Sequence, residues 1–254
     1  GCGNGIVTGA IVKAIDKLGL KQDETVIVSG IGCSSRASGY LNFDTVHSAH
    51  GRALPVATGI KLSEPRLNVI VVTGDGDSTA IGGNHFIHAA RRNINLTVVL
   101  YNNNIYGMTG GQYSPLTPTH NVATTAPYGT VERPFDVPEL AKAAGATFVA
   151  RGTTFHTPLL VDLIAQGIAH DGFSLIEAVT QCPIYNGRQN KLGDAPAMMK
   201  WQRDHAVNVE AAKKMTLEQL ADKFLIGVLH KAEAPEYTKQ YDELIIAKAQ
   251  KGAK

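Results

Sequence analysis

The sequence predicts an α/β protein built on a doubly wound parallel sheet. Short apolar runs rich in valine and isoleucine recur along the chain, as strands buried on both faces do. They alternate with stretches of helical period, which argues for helices on both faces of the sheet. Two of the runs end in loops of glycine, aspartate and asparagine, and open α/β sheets bind their ligands at such carboxyl edges.

Residues 5–18 read as a helix whose stripe is Ile6, Ala10, Ile11, Ala14, Ile15 and Leu18, with Gly19 as its stop. Residues 25–29 form the first buried strand. A second helix covers 52–63 and closes before Pro65. Residues 69–73 form a strand that stops at Gly74-Asp75-Gly76-Asp77, where glycine lets the backbone turn beside a ligand. A helix over 81–92 carries Ile81, Phe86, Ile87, Ala89 and Ala90 on one side. The next strand, 96–101, ends at Asn102-Asn103-Asn104. Between 103 and 136 lies an irregular stretch long enough to be either functional or disordered. A short helix opens at Val137-Pro138, a strand covers 147–151, and Thr157-Pro158 starts a helix with proline in its first turn. Residues 172–179 are expected to close the sheet. Residues 213–229 are expected to be helical, Pro235 breaks them, and 241–254 is rich in alanine and lysine. This divides the chain into an α/β domain over 1–185 and a helical extension over 186–254, read either as a solvated tail or as a subunit-docking region. No internal repeat is visible.

The 254 residues suffice for one large α/β unit. Hydrophobic residues make up 44% and charged residues 18%, ordinary for a globular protein, and a formal charge of +2 gives no case for a nucleic-acid or membrane partner. No apolar run approaches the ~20 residues that span a bilayer, and no charged segment leads into an apolar signal stretch. A cytoplasmic setting is the expectation. A chain beginning Gly1-Cys2-Gly3-Asn4-Gly5 reads as processed, or as cut from something longer.

Asp75 and Asn103 carry the most information about chemistry. They sit at the ends of two runs joined by one helix, and a right-handed crossover brings both ends to one edge of a parallel sheet. A carboxylate and an amide carbonyl converging there suit Mg²⁺, which takes one or two carboxylates plus the phosphates of a bound molecule. A β-turn followed by an asparagine-rich loop is the plainer alternative. The arrangement resembles the magnesium and diphosphate motif of thiamine-diphosphate enzymes, which runs Gly-Asp-Gly, a helix, then Asn-Asn. By that resemblance Asp75, the Asn103 side chain and the Ile105 carbonyl are the Mg²⁺ ligands.

Cys2, Cys33 and Cys182 are far apart in sequence, and an odd number speaks against a disulfide framework. Each reads either as a buried structural thiol or as a ligand at the same carboxyl edge. Thiolates from separate loops are what an iron–sulfur cluster needs, although a [4Fe-4S] cluster normally takes four.

The stretches Gly1-Cys2-Gly3-Asn4-Gly5, Gly30-Ile31-Gly32-Cys33-Ser34-Ser35-Arg36, His50-Gly51-Arg52-Ala53, Gly74-Asp75-Gly76-Asp77, Asn103-Asn104-Ile105-Tyr106-Gly107-Met108-Thr109-Gly110-Gly111-Gln112 and Cys182-Pro183 resemble, in order, those of the β subunit of 2-oxoacid:ferredoxin oxidoreductases. The resemblance implies a thiamine-diphosphate-binding fold, with thiamine diphosphate, Mg²⁺ and a [4Fe-4S] cluster as cofactors. It implies oxidative decarboxylation of a 2-oxoacid with coenzyme A as acyl acceptor, and electrons passed through the cluster to ferredoxin. It also implies an α subunit that carries the glutamate contacting the aminopyrimidine ring, in an αβ dimer of dimers, so that this chain alone does not turn over. Family members usually carry Cys-Pro-Gly-Cys-Gly at the first site. This sequence begins inside that motif, so the fourth cluster ligand is missing from the chain.

The cofactor-binding residues implied are Gly32, Cys33, Ser34, His50, Gly74, Asp75, Gly76, Asp77, Ser78, Asn103, Ile105, Gly107, Met108 and Thr109. Amides near Asp77 and Ser78 are expected to face the diphosphate. His50, Arg36 and Met108 are expected nearest the chemistry. A guanidinium at Arg36 suits the far carboxylate of 2-oxoglutarate, or is a surface side chain screened by water. His85 and His88 read as packing or surface residues. Three rivals stay open. A dinucleotide-binding oxidoreductase would use Gly30-Ile31-Gly32, although Ser35 replaces the third glycine. A non-catalytic assembly subunit is the second. The third is another thiamine-diphosphate decarboxylase; single-chain members are about twice this length.

Overall fold

The computed structural model describes residues 1–252. Eight strands form one sheet in the order β2-β1-β3-β4-β6-β5-β8-β7. They are β1 (Thr25–Ser29), β2 (Asp44–His47), β3 (Asn68–Gly74), β4 (Thr97–Asn102), β5 (Phe148–Thr153), β6 (Ser174–Val179), β7 (Ala206–Asn208) and β8 (Phe224–Lys231). All neighbours are parallel except β5 and β8.

Successive residues of each central strand enter different cores, because side chains alternate across a sheet. Val26, Val28, Val69, Val71, Val98, Leu100, Val149 and Leu175 point to one face, covered by α2 (Ala53–Ser63), α3 (Gly83–Arg91) and α4 (Val137–Ala144). Ile27, Ile70, Val72, Val99, Tyr101, Phe148, Ala150, Ile176 and Ala178 point to the other, covered by α1 (Asn4–Lys17) and α5 (Thr157–Ala169). The sheet is therefore doubly wound, and its central strands read as mostly apolar runs because both faces are dry.

Three features differ from the sequence expectation. β2 sits on the edge beside β1 with mostly exposed side chains, so it carries no apolar signal. Residues 172–179 do not close the sheet: β8 adds antiparallel to β5 beyond them, and β7 adds to β8. The helix expected over 213–229 is instead a single one-turn helix, Leu217–Leu220, followed by β8 from Phe224. Residues 186–254 are thus not simply helical; α6 (Ala195–His205) is their longest helix, and the last two residues of the alanine- and lysine-rich tail lie outside those described. The run Phe224-Leu225-Ile226-Gly227-Val228-Leu229 is β-prone apart from Gly227, whose φ of +113° lies near a register shift opposite Val149 and Ala150. Among the described residues no helix is long and apolar enough to cross a membrane.

Candidate active site

β3 and β4 lie side by side and in parallel, with Gly74 opposite Tyr101, so the loops that follow them leave the same sheet edge together. Between these loops and the segments 31–34 and 50–51 lies a cavity of about 570 Å³. Its wall includes Gly32, Cys33, Ser34, His50, Gly74, Asp75, Gly76, Asp77, Asn103, Ile105, Gly107, Met108 and Thr109. Ser78 is fully buried beside the wall. Arg36 is not on it: its side chain is exposed and donates from Nη2 to the Tyr40 hydroxyl at 3.3 Å.

Asp75 is 4% exposed and Asn103 7%. Asp75 Oδ1 accepts from the Gly76 N–H at 3.0 Å and Oδ2 from the Ser114 hydroxyl at 2.7 Å. Burial nevertheless pushes its carboxyl up to about 6, while Ser114 and the Gly76 and Ile105 amides pull the other way. The Ile105 N–H also donates to Asn103 Oδ1 at 3.2 Å, so the two side chains face a common amide. A carboxylate, an amide oxygen and a backbone carbonyl are hard donors, and the buried carboxylate has no cationic side chain among its partners. This donor set fits a small divalent cation. Among the described residues no three or more His, Cys, Asp or Glu side chains close on one ion, and this set contains only one side chain of those types. Asn4 Oδ1 and Ser34 Oγ, both in buried side chains on the cavity wall, have no hydrogen-bond partner, as polar atoms awaiting a ligand would be.

Asp77 has an organising position. Its Oδ1 accepts from Gly51 N–H at 2.7 Å and Ile31 N–H at 3.3 Å, and its Oδ2 accepts from Thr73 Oγ1 at 2.8 Å, so one carboxylate ties three segments together. Gly30 is required beside it, because a β-carbon there would run into the carboxylate. His50 Nδ1 lies 2.9 Å from Asp77 Oδ1 and 3.0 Å from the Ile31 carbonyl. Both partners accept, so Nδ1 carries a proton and the ring orientation is set.

The three cysteines gather at the same end. The Gly3 N–H donates to the Gln181 carbonyl at 3.2 Å, which brings the start of the chain beside Cys182. A β-carbon on Gly107 would lie 3.2 Å from Cys33 Sγ and 3.6 Å from Cys182 Sγ, so these thiols flank one point of the backbone. Burial raises the Cys33 thiol first, and the neighbouring Cys182, Cys2 and Asp75 raise it further. Cys182 is buried and Cys2 exposed.

Several wall residues were not among those expected to bind a cofactor, although Asn4, Ile31, Tyr106 and Gln112 lie within the stretches that carry the resemblance. Tyr106 packs across Gly76, its hydroxyl donating to the Gly76 carbonyl at 3.1 Å and its pKa pushed up to about 12, chiefly by burial. Asn4, Ile31, Tyr101 and Gln112 also line the cavity. Ser114, 39 positions from Asp75, reaches it only through the fold of the long loop.

Comparison with known proteins defines the class. Residues 30–178 match the model of the thiamine pyrophosphate enzyme C-terminal TPP binding domain, and the chain belongs to that family. Within it, the chain is similar to the 2-oxoglutarate synthase subunit KorB of Methanocaldococcus jannaschii, 51% identical over 245 residues that span 96% of this chain and 91% of that one. It is similar to the protein of that name from Methanothermobacter marburgensis, 51% identical over 236 residues, 93% of this chain and 83% of that one. Among solved structures it resembles a 2-oxoglutarate:ferredoxin oxidoreductase from Magnetococcus marinus with 2-oxoglutarate, coenzyme A and succinyl-CoA bound, at 33% identity and a TM-score of 0.87, over 100% of this chain and 85% of that one.

Proposed function

We propose that this chain is the thiamine-diphosphate-binding β subunit of a 2-oxoglutarate:ferredoxin oxidoreductase. The enzyme would convert 2-oxoglutarate and coenzyme A to succinyl-CoA and carbon dioxide, passing two electrons singly to ferredoxin. The observation that carries this reading is the meeting of Asp75, Asn103 and Ile105 at one wall of a cavity whose size suits a cofactor, in a chain of this family. The names of its relatives favour 2-oxoglutarate among the 2-oxoacids.

Asp75, the Asn103 side chain and the Ile105 carbonyl would hold Mg²⁺, which neutralises diphosphate charge. Thiamine diphosphate, when bound, supplies the carbanion that attacks the keto carbon and lets carbon dioxide leave. The chain's part is placement. The Asp77 carboxylate holds the 31, 51 and 73 segments around the cavity, and Met108 and the Tyr106 ring form part of its wall. His50 presents a ring fixed at Nδ1, leaving Nε2 for the cofactor or substrate. Cys2, Cys33 and Cys182 would ligate a [4Fe-4S] cluster whose fourth ligand is not among the chain's three cysteines. An α subunit would supply the glutamate for the aminopyrimidine ring, in a cytoplasmic αβ dimer of dimers with residues 186–254 at the subunit contact. Arg36, exposed in this chain, would meet the far carboxylate only across such a contact.

The test is ferredoxin or viologen reduction by the α–β complex given thiamine diphosphate, Mg²⁺, coenzyme A and either 2-oxoglutarate or pyruvate. Reduction that depends on 2-oxoglutarate is expected; cofactor binding without any 2-oxoacid turnover would reject the reading. Arg36→Ala should raise the KM for 2-oxoglutarate and spare that for pyruvate. Equal effects on both would remove Arg36 from substrate selection.

A further inference from the structure

A buried ion pair is hydrogen-bonded to the start of the loop that follows β4. Arg151 on β5 and Glu177 on β6 are opposite one another in the parallel register, with side chains 14% and 4% exposed. Arg151 Nε donates to Glu177 Oε2 at 2.5 Å, and Arg151 Nη2 donates to Asp136 Oδ1 at 3.0 Å. The other Glu177 oxygen, Oε1, accepts from Asn102 Nδ2 at 2.7 Å, and Asn102 Oδ1 accepts from the Asn104 N–H at 3.1 Å. Asn104 has a φ of +61°, a left-handed conformation that a non-glycine residue holds only when its surroundings impose it. Asn102 and Asp136 bracket the long irregular segment, so one ion pair is bonded to both of its ends.

Stability alone does not account for such a pair, because a buried pair replaced by packed apolar groups is commonly no less stable. Its hydrogen-bond polarity does offer an account. Glu177 can only accept, so it compels Asn102 to present its NH₂ downward and its oxygen upward to Asn104. Asn103 lies within the span closed by that bond, and Ile105 follows it directly.

We propose that Glu177, braced by Arg151, is a positioning residue that orients Asn102 and thereby places the two cation donors of the 103–105 loop. The inference rests on the cofactor reading above for the cation, but not for the loop geometry. Glu177→Gln keeps the shape and the bond to Arg151 while turning an NH₂ toward the NH₂ of Asn102. Relief requires Asn102 to flip, which sets its NH₂ against the Asn104 N–H. The double variant Glu177→Gln with Asn102→Asp restores the sequence of donors and acceptors: the carboxylate introduced at position 102 accepts from the amide introduced at position 177 on one side and from the Asn104 N–H on the other.

Two readouts on the α–β complex test this. Hydrogen exchange of the Asn104 amide should quicken in E177Q and slow again in the double variant, whether or not cofactor is present. Mg²⁺ affinity in the presence of thiamine diphosphate should fall by ~10- to 100-fold in E177Q, as for other groups that orient metal ligands, and recover in the double variant. Unchanged exchange and affinity in a folded E177Q, or losses that the double variant does not repair, would overturn the proposal. If the unmutated complex bound no Mg²⁺ while Asn104 exchange still followed the expected order, the cofactor reading would fail and the orienting role would survive.

Discussion

Asp75 couples the protein's chemistry to its proton balance. Its carboxyl, ordinarily near 3.8, is lifted to about 6 by burial, so the folded chain holds a proton between those values that the unfolded chain has released. The cation-free protein should therefore lose stability as pH rises from 4 to 7, by about 2 kcal/mol from this group alone. Under the proposed function, a divalent cation would replace that proton. Near pH 5 Mg²⁺ binding should release close to one proton, near pH 6 about half of one, and by pH 7.5 almost none, as calorimetry in buffers of different ionisation enthalpy would show. Proton release that does not vary with pH would contradict the assignment. Asp75→Asn should leave the cation-free protein at least as stable at pH 7 and abolish the melting-temperature gain on adding Mg²⁺ with thiamine diphosphate. Ser114→Ala removes the hydroxyl bonded to Oδ2, and should weaken Mg²⁺ by roughly tenfold while the far-ultraviolet dichroism stays unchanged. An affinity equal to that of the parent protein would show that the hydroxyl has no part in aiming the carboxylate.

At the scale of elements, the cavity depends on how closely backbone can approach side chain. Gly76 has the Tyr106 ring against its α-carbon, and a β-carbon there would overlap the ring. Gly76→Ala should displace Tyr106 together with the segment from Ile105 to Met108, cutting thiamine-diphosphate affinity by an order of magnitude or more while the sheet stays intact. Calorimetric titration checks this, and undiminished affinity would mean that the Tyr106 contact does not shape the site. The same scale shows what sequence can reveal. β1, β3, β4, β5 and β6 were legible because strands dry on both faces are apolar along most of their length. β2 was not, because Asp44, Thr45 and His47 face solvent and only its pairing with β1 makes it a strand. β8 looked helical because alanine- and lysine-rich sequence surrounds it, and the sheet edge left open by β5 decides its state. Asp75 and Asn103 could be paired from sequence since one crossover joins them. Ser114 and the Asp136–Arg151–Glu177–Asn102 chain could not, because only the tertiary fold brings them together.

For the whole molecule, the proposed function puts two groups at one sheet edge: a cation with its diphosphate between the β3 and β4 loops, and a cluster held by Cys33 and Cys182, which flank Gly107, together with the neighbouring Cys2. A site shared between subunits is expected to be silent when the subunits are apart. The purified chain should give no 2-oxoglutarate decarboxylation, and carbon dioxide release from the single chain would refute the need for an α partner. Iron and acid-labile sulfide in the complex should fall on Cys33→Ala, the thiol that lies on the cavity wall. The most direct measurement is calorimetric titration of thiamine diphosphate into the α–β complex with Mg²⁺ and again with excess chelator, for the parent protein and for Asp75→Ala. The account predicts binding that chelator and D75A each abolish. Equal affinity in all of these conditions would contradict a cation held between Asp75 and Asn103.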